Sequence, residues 1–247
     1  MNVAIRGDRA SCLTIQLGAR TWLLAVTRGF GAVDGIPTER ALLAQLRAEC
    51  ERRLRRERFR RAVNRPAAAA TAVLAALARA NAEIHGRTPG HDDYVTAACS
   101  LTAVLIVRGH AYVMHCGGTA AYLAHGNDVT PLSGDDTFED AGLPVLARAL
   151  GTSTGLDVAV SSVLLDAGDI VILTSRRLSG TVDRHALAAH VETANPGEQV
   201  LVARFERDDA ADDGGANEFH RPAFRMGPLL VRAAVAVLLA LALVLAR

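Results

Sequence analysis

The sequence predicts an α+β body followed by one membrane-spanning helix. Three observations lead there. Before residue 206 the chain contains eight short apolar, strand-like runs, several joined by turns so short that the neighbours must be antiparallel. Stretches of helical periodicity are grouped between these runs rather than alternating with them strand by strand, which is an α+β order. Residues 226–246 then form a 21-residue span with a single charge, Arg232, and about 20 apolar residues suffice to cross a bilayer core.

The strand-like runs are SCLTIQL (11–17), TWLLAVT (21–27), SLTAVLIV (100–107), AYVMHC (111–116), AAYLAH (120–125), DVAVSSVLL (157–165), IVILTS (170–175) and QVLVARF (199–205). RGH separates two of them, GN follows another, and DAGD makes a tight connection. Helical patterns occupy roughly 38–62, 66–85 and 183–194, and Pro66 suits a first helical position because its missing N–H would have no partner there. In the first pattern Leu42, Leu43, Leu46, Cys50, Leu54 and Phe59 approximate one buried stripe.

Length and composition bound the function. A chain of 247 residues accommodates one domain of about 200 residues plus an appendage. Aromatic residues make up only 4%, so Ala, Val and Leu must fill the core. A net charge of +1 argues against bulk electrostatic capture of nucleic acid. Every basic residue is Arg, none is Lys, and Ala is abundant, a composition typical of GC-rich, bacterial coding. Cys12, Cys50, Cys99 and Cys116 form no CxxC pair; they read as small buried residues in a reducing compartment. The N-terminus lacks the long apolar region of a secretory signal.

Residues 206–225 are acidic, Gly-containing and non-periodic, and read as a linker between the body, 1–205, and the span, 226–246. Residues 233–246 are uncharged throughout and have no polar face. Arg221, Arg225 and Arg232 precede them and only Arg247 follows, so the arginine bias predicts a single-pass C-terminal anchor with the body on the cytoplasmic side. Nine arginines crowd residues 47–65, against Glu49, Glu51 and Glu57. They read first as a solvated face; contact with anionic lipid is the functional alternative. No aromatics are interleaved for stacking on bases, so no nucleic-acid partner is expected.

Taken in order, several segments resemble the metal-dependent protein phosphatases of the type 2C (PPM) family. WLLAVTRGFG (22–31) is similar to the strand and loop that family writes as LLAVADGMGG. LARANAEIHG (77–86) resembles its second-helix segment. CSLTAVLIVRGHAYVMHCGGTAAYLAHGNDVTPLS (99–133) is similar to its GTTLTAVLI, LYVANVGDSRAYL and GELTQLT run. LARALG (146–151) resembles LTRALG, DAGDIVILTSRRLSG (166–180) resembles EPGDRLLLCSDGLTD, and GEQVLVARFE (197–206) resembles its last strand. The set spans nearly all of 1–205.

The resemblance implies a four-layer α-β-β-α sandwich of two antiparallel sheets flanked by helices. It also implies a reaction in which carboxylates hold two or more Mg²⁺ or Mn²⁺ ions and a bridging water attacks phosphorus, since hard divalent cations require oxygen ligands. The acids, however, are gone. Arg28 replaces the Asp of the Asp-Gly loop, while Gly29 is kept. Gly118 replaces the Asp of Asp-Ser-Arg, and Arg176 and Arg177 replace the Asp and Gly of Ser-Asp-Gly. Glu198 stands near the final Asp-Asn position, and Asp8 is the one acid near the place of the early Asn-Glu-Asp motif. The segment between TPLS and LARALG is shorter than the flap that family carries there. A guanidinium has no acceptor atom and repels a cation.

The expectation is therefore a membrane-anchored pseudophosphatase with no catalytic residue, no metal ligand and no cofactor. Its vestigial pocket would contain Asp8, Gly29, Gly118 and Glu198, and Arg28, Arg176 and Arg177 would be available to contact phosphate or another anion. A Ser/Thr kinase or a phosphoprotein is the expected partner. The bland expectation is that Arg28 and Arg176, at the ends of neighbouring central strands, pair with surviving carboxylates such as Asp8. The alternatives are an active Ser/Thr phosphatase using Mg²⁺ or Mn²⁺ at a site rebuilt from Asp8, Asp34, Asp92, Asp93 and Glu198, and a docking subunit of a membrane complex. The histidines show no HxH or HExxH spacing; His115, beside Cys116 on a strand, is expected to pack at the edge of the former site.

Overall fold

The computed structural model describes residues 1–6, 9–54, 56, 59, 61, 64–88, 95–140, 143–178, 182–193 and 198–205. Within them two five-stranded antiparallel sheets lie face to face. The first runs β12 (Ala159–Leu164), β7 (His110–Cys116), β6 (Ala98–Val107), β3 (Thr21–Phe30), β2 (Cys12–Gly18). The second runs β1 (Asn2–Arg6), β14 (Val200–Arg204), β13 (Ile170–Thr174), β8 (Ala120–His125), β9 (Asp128–Pro131). Helices α1 (Thr38–Leu54) and α2 (Pro66–Arg87) cover the first sheet, and α3 (Arg184–Thr193) covers the second. Two small hairpins, β4 (Ala32–Val33) with β5 (Ile36–Pro37) and β10 (Thr137–Asp140) with β11 (Leu143–Leu146), complete the elements used below.

Strand periodicity sorts the core into layers, because successive side chains point to opposite faces. On β3, Leu23 and Ala25 face the helices while Leu24 and Val26 face the second sheet. On β13, Val171 and Leu173 face the first sheet and Ile172 meets Leu187 of α3. The four-layer order expected from the resemblance is present. β6 is buried at every position, as a central strand covered on both faces must be.

The predicted stripe on α1 holds: Leu42, Leu43, Leu46, Cys50 and Phe59 are buried and Leu54 packs partly buried against them. α1 runs to Leu54; beyond it, among the described residues, Phe59 and Arg61 are again helical. Pro66 does open α2, next to an extended Arg65. α2 is long and apolar enough to cross a membrane by composition, but half of that window is buried inside the domain, so it is a core helix. The expected linker, 206–225, and span, 226–246, lie outside the described residues.

Candidate functional site

One end of the sandwich gathers the residues of interest. The layer between the sheets is closed there by polar groups instead of aliphatic ones. Thr102 of β6 and Thr119 just before β8 share a hydroxyl–hydroxyl hydrogen bond of 2.7 Å, which ties the two sheets together. His115 of β7 lies opposite Thr102 and its Nδ1 atom is 2.9 Å from the Thr102 hydroxyl. His115 is buried to 1% exposure, and burial holds its pKa down, at about 4. The ring is thus neutral at pH 7. The ring packs on β7 at this end of the sandwich.

Above His115 sits an acid that sequence reasoning did not single out. Asp136 is buried, accepts a 3.0 Å hydrogen bond from the Gly117 backbone N–H, and forms an ion pair with Arg148. The His115 Nε2 atom is 3.6 Å from its carboxylate and makes no hydrogen bond. Arg148 also reaches Asp157 at 3.5 Å. Asp136 and Arg148 thus offset each other's charge within the site. No local signal marks Asp136: it lies in the SGDDTF loop, and its partners come from other segments.

The glycine pair beneath it is tightly built. Gly117 has φ +90, and a β-carbon there would come 2.2 Å from the Ser100 hydroxyl, so no other residue fits. The same hydroxyl accepts the Gly118 N–H at 2.9 Å. Over Gly118 lies the β10–β11 hairpin: a β-carbon at Gly118 would have Leu146 Cδ2 at 3.4 Å and Thr137 Cγ2 at 3.6 Å. The short segment between TPLS and LARALG thus folds down onto position 118, where the resembled family carries a carboxylate.

Arg28 and Arg176 both stand at this end, but not on neighbouring strands. Arg28 lies on β3 of the first sheet, opposite Ser100, and Arg176 follows β13 of the second; facing sheets, rather than adjacent strands, bring them to the same mouth. Both are exposed. Arg176 pairs at 3.5 Å with Glu198, so that glutamate neutralises an arginine. Among the described residues the Arg28 guanidinium makes no hydrogen bond or ion pair. Gly29 is required beside it, since a β-carbon would meet the Ala98 carbonyl and Cys99 Cβ at 2.8 Å.

Arg177 has another task. It donates to the backbone carbonyls of Ser133 (2.9 Å) and Gly134, and pairs with Asp135 at 3.7 Å. These bonds strap the 131–136 loop to the end of β13. The expected anion contact through Arg177 is thus set against a donor set already engaged by backbone carbonyls. Of the acids considered for a rebuilt metal site, Asp34 is bound by Arg87, through Nε at 2.9 Å, and Glu198 by Arg176; Asp8, Asp92 and Asp93 lie outside the described residues.

The metal ions of the resembled family find no matching ligand set at the matched positions. Arg28 and Arg176 offer no acceptor, and the space beside Gly118 holds Leu146. A second group, His125, Asp166 and Asp169, brings three potential ligand atoms within 4.8 Å of one another, but at the opposite end of β8 and β13. There the Asp169 carboxylate already accepts the Asp166 N–H at 2.8 Å and contacts His125 Nδ1 at 2.5 Å, which secures the β12–β13 turn. Cys50, Cys99 and Cys116 are buried and Cys12 is partly so. Burial pushes the Cys50 and Cys116 thiols up to about 12, as expected of packing residues.

The described body has the fold seen in type 2C (PPM) Ser/Thr phosphatases. Solved structures carry the same fold. The Mycobacterium tuberculosis serine/threonine phosphatase PstP/Ppp aligns with TM-score 0.59 and 20% identity, over 83% of this chain and 99% of that one; its catalytic domain is also known in complex with 2 manganese ions. PppA, a key regulatory component of the type VI secretion system in Pseudomonas aeruginosa, aligns with TM-score 0.59 and 16% identity, over 83% of this chain and 97% of that one. The Mycobacterium smegmatis phosphatase MsPP, solved with cacodylate, aligns with TM-score 0.55 and 18% identity, over 82% and 97%. No family model matches the sequence, and no curated protein matches it.

Proposed function

We propose that this protein is a pseudophosphatase: a type 2C-like domain, held at a membrane by residues 226–246 with the body on the cytoplasmic side, that recognises a phosphorylated Ser or Thr on a protein partner without hydrolysing it. One observation carries the reading. Where the resembled family has metal-binding aspartates the chain has Arg28, Gly118 and Arg176, and the room beside Gly118 is taken by Leu146 of the hairpin. The Asp136–Arg148 pair supports it, because a neutral, hydrogen-bonded interior leaves no net charge to attract a cation.

Arg28 is the principal anion contact in this reading, being exposed and without a partner among the described residues. Arg176 joins it if the anion displaces Glu198, an exchange that costs little for a solvent-exposed pair. The arginine fork matches phosphate oxygens two at a time, which a lysine cannot do.

The test is calorimetric titration of the full chain with Mn²⁺ and then with a phosphothreonine peptide, with a hydrolysis assay on the same sample. Peptide binding without metal, weakened by Arg28→Ala and Arg176→Ala, is the expected result. Metal binding with turnover would overturn the reading, and so would peptide binding indifferent to both substitutions.

A further inference from the structure

The end of the sandwich opposite the arginine mouth carries several exposed arginines, and Phe205, the last described residue, lies there. α1 begins at the mouth, where the Thr38 hydroxyl donates to the Phe30 carbonyl, and runs toward the far end. There the segment joining α1 to α2 passes the β2–β3 turn: a β-carbon on Gly18 would lie 3.0 Å from Asn64 Oδ1. That turn touches the β6–β7 turn, since Arg108 N–H donates to the Arg20 carbonyl at 3.1 Å. The β6–β7 turn in turn touches Phe205, whose ring would lie 3.6 Å from a β-carbon on Gly109. Phe205 is the last described residue, and the linker starts immediately after it.

Arg20, Arg56, Arg61, Arg65 and Arg108 are all exposed on this connected surface. Among the described residues, the acids at the end of α1 are engaged by other arginines. Glu49 is 4% exposed beneath Arg52, Arg53 and Arg79, and Glu51 pairs with Arg47 at 3.8 Å. The exposed acids Asp128 and Asp166 lie at this end too, Asp128 at the start of β9 and Asp166 in the β12–β13 connection, where the preceding Leu165 N–H donates to the Gly109 carbonyl, next to Arg108, at 2.8 Å.

We infer that this arginine-rich end is a docking surface for an anionic phospholipid bilayer, so that the domain lies with its basic end on the membrane and its Arg28–Arg176 mouth turned toward the cytosol. The inference rests on the membrane reading of 226–246. The exit point and the basic surface coincide, so a linker of residues 206–225 need not wrap round the domain for both to meet one bilayer. Arginines near an anionic surface are attracted to it, and added salt screens that attraction. An orientation of this kind presents the mouth to soluble partners.

The chain's only tryptophan, Trp22, lies half-buried at the start of β3, close to the basic end, and serves as a built-in energy donor. Full-length protein is reconstituted in nanodiscs containing dansyl-labelled lipid, made either of phosphatidylcholine or with added phosphatidylglycerol. Transfer from Trp22 is expected to rise with phosphatidylglycerol, to fall to the phosphatidylcholine level in the triple variant Arg20→Gln, Arg56→Gln, Arg65→Gln, and to persist in Arg28→Gln at the opposite end. Equal transfer in both discs, or a phosphatidylglycerol effect that survives the triple variant, would overturn the inference, as would equal transfer accompanied by saturable binding of an acidic polypeptide. Failure to insert into phosphatidylcholine discs would overturn the anchor alone; recruitment by phosphatidylglycerol that the triple variant abolishes would still support the surface.

Discussion

Leu146 of the β10–β11 hairpin stands over Gly118, its Cδ2 atom 3.4 Å from where a β-carbon at that position would be. A methyl group at that separation makes ordinary contact. A carboxylate, larger than a methyl group, would have to push Leu146 and Thr137 aside. Gly118→Ala is therefore expected to be nearly neutral, and Gly118→Asp to destabilise the domain by about 1–3 kcal/mol by displacing the hairpin side chains. Urea unfolding of the two variants separates these outcomes.

Asp136 holds three groups at once: the Gly117 N–H, Arg148 and, more loosely, His115. Asp136→Ala would leave the Arg148 cation part-buried and the Gly117 donor unsatisfied. Breaking one side of such a pair costs about 3–5 kcal/mol. Asp136→Ala combined with Arg148→Leu should recover part of that loss, and thermal melting of the single and double variants checks it.

His115 makes stability depend on pH in a predictable direction. Its folded pKa is about 4 against an ordinary 6.5, so between those values the unfolded chain binds a proton that the folded domain does not. Stability should thus fall as pH drops from about 6.5 to about 4, by about 3 kcal/mol in total. His115→Gln should flatten that part of the profile relative to the parent. Unfolding free energies at pH 7 and pH 4.5 for both proteins provide the comparison.

Arg177 and Arg28 should separate structure from binding. Arg177→Ala releases the carbonyls of Ser133 and Gly134 and should cost about 1–3 kcal/mol of stability. Arg28→Ala removes an exposed group and should change stability by less than about 0.5 kcal/mol while weakening phosphopeptide binding. Melting curves and peptide titrations on both variants reveal whether the two roles divide this way.

The residues of the two sheets' cores, the buried stripe of α1 and the start of α2 at Pro66 were readable locally, because apolar periodicity and a fixed proline φ act within a few residues. The charge and donor capacity of Arg28 and Arg176 were readable too, because they depend only on side-chain chemistry. β1 was not readable: it is an edge strand completed by pairing Asn2–Arg6 with Val200–Arg204 from the far end of the body. The β10–β11 hairpin was missed as well, since TFED and LPVL have little strand patterning and are held by each other.

The site itself was decided by the tertiary structure. Arg176 and Arg177 are neighbours in sequence, yet one faces solvent beside Glu198 and the other straps a loop 44 positions away. Asp136, Arg148 and His115 become one network only when a loop, the segment after β11 and β7 meet. Charge and hydrogen-bonding capacity belong to the residue and can be read from the sequence. Which groups satisfy them is set by long-range packing, and that is why sequence could name the arginines of the mouth but not their partners.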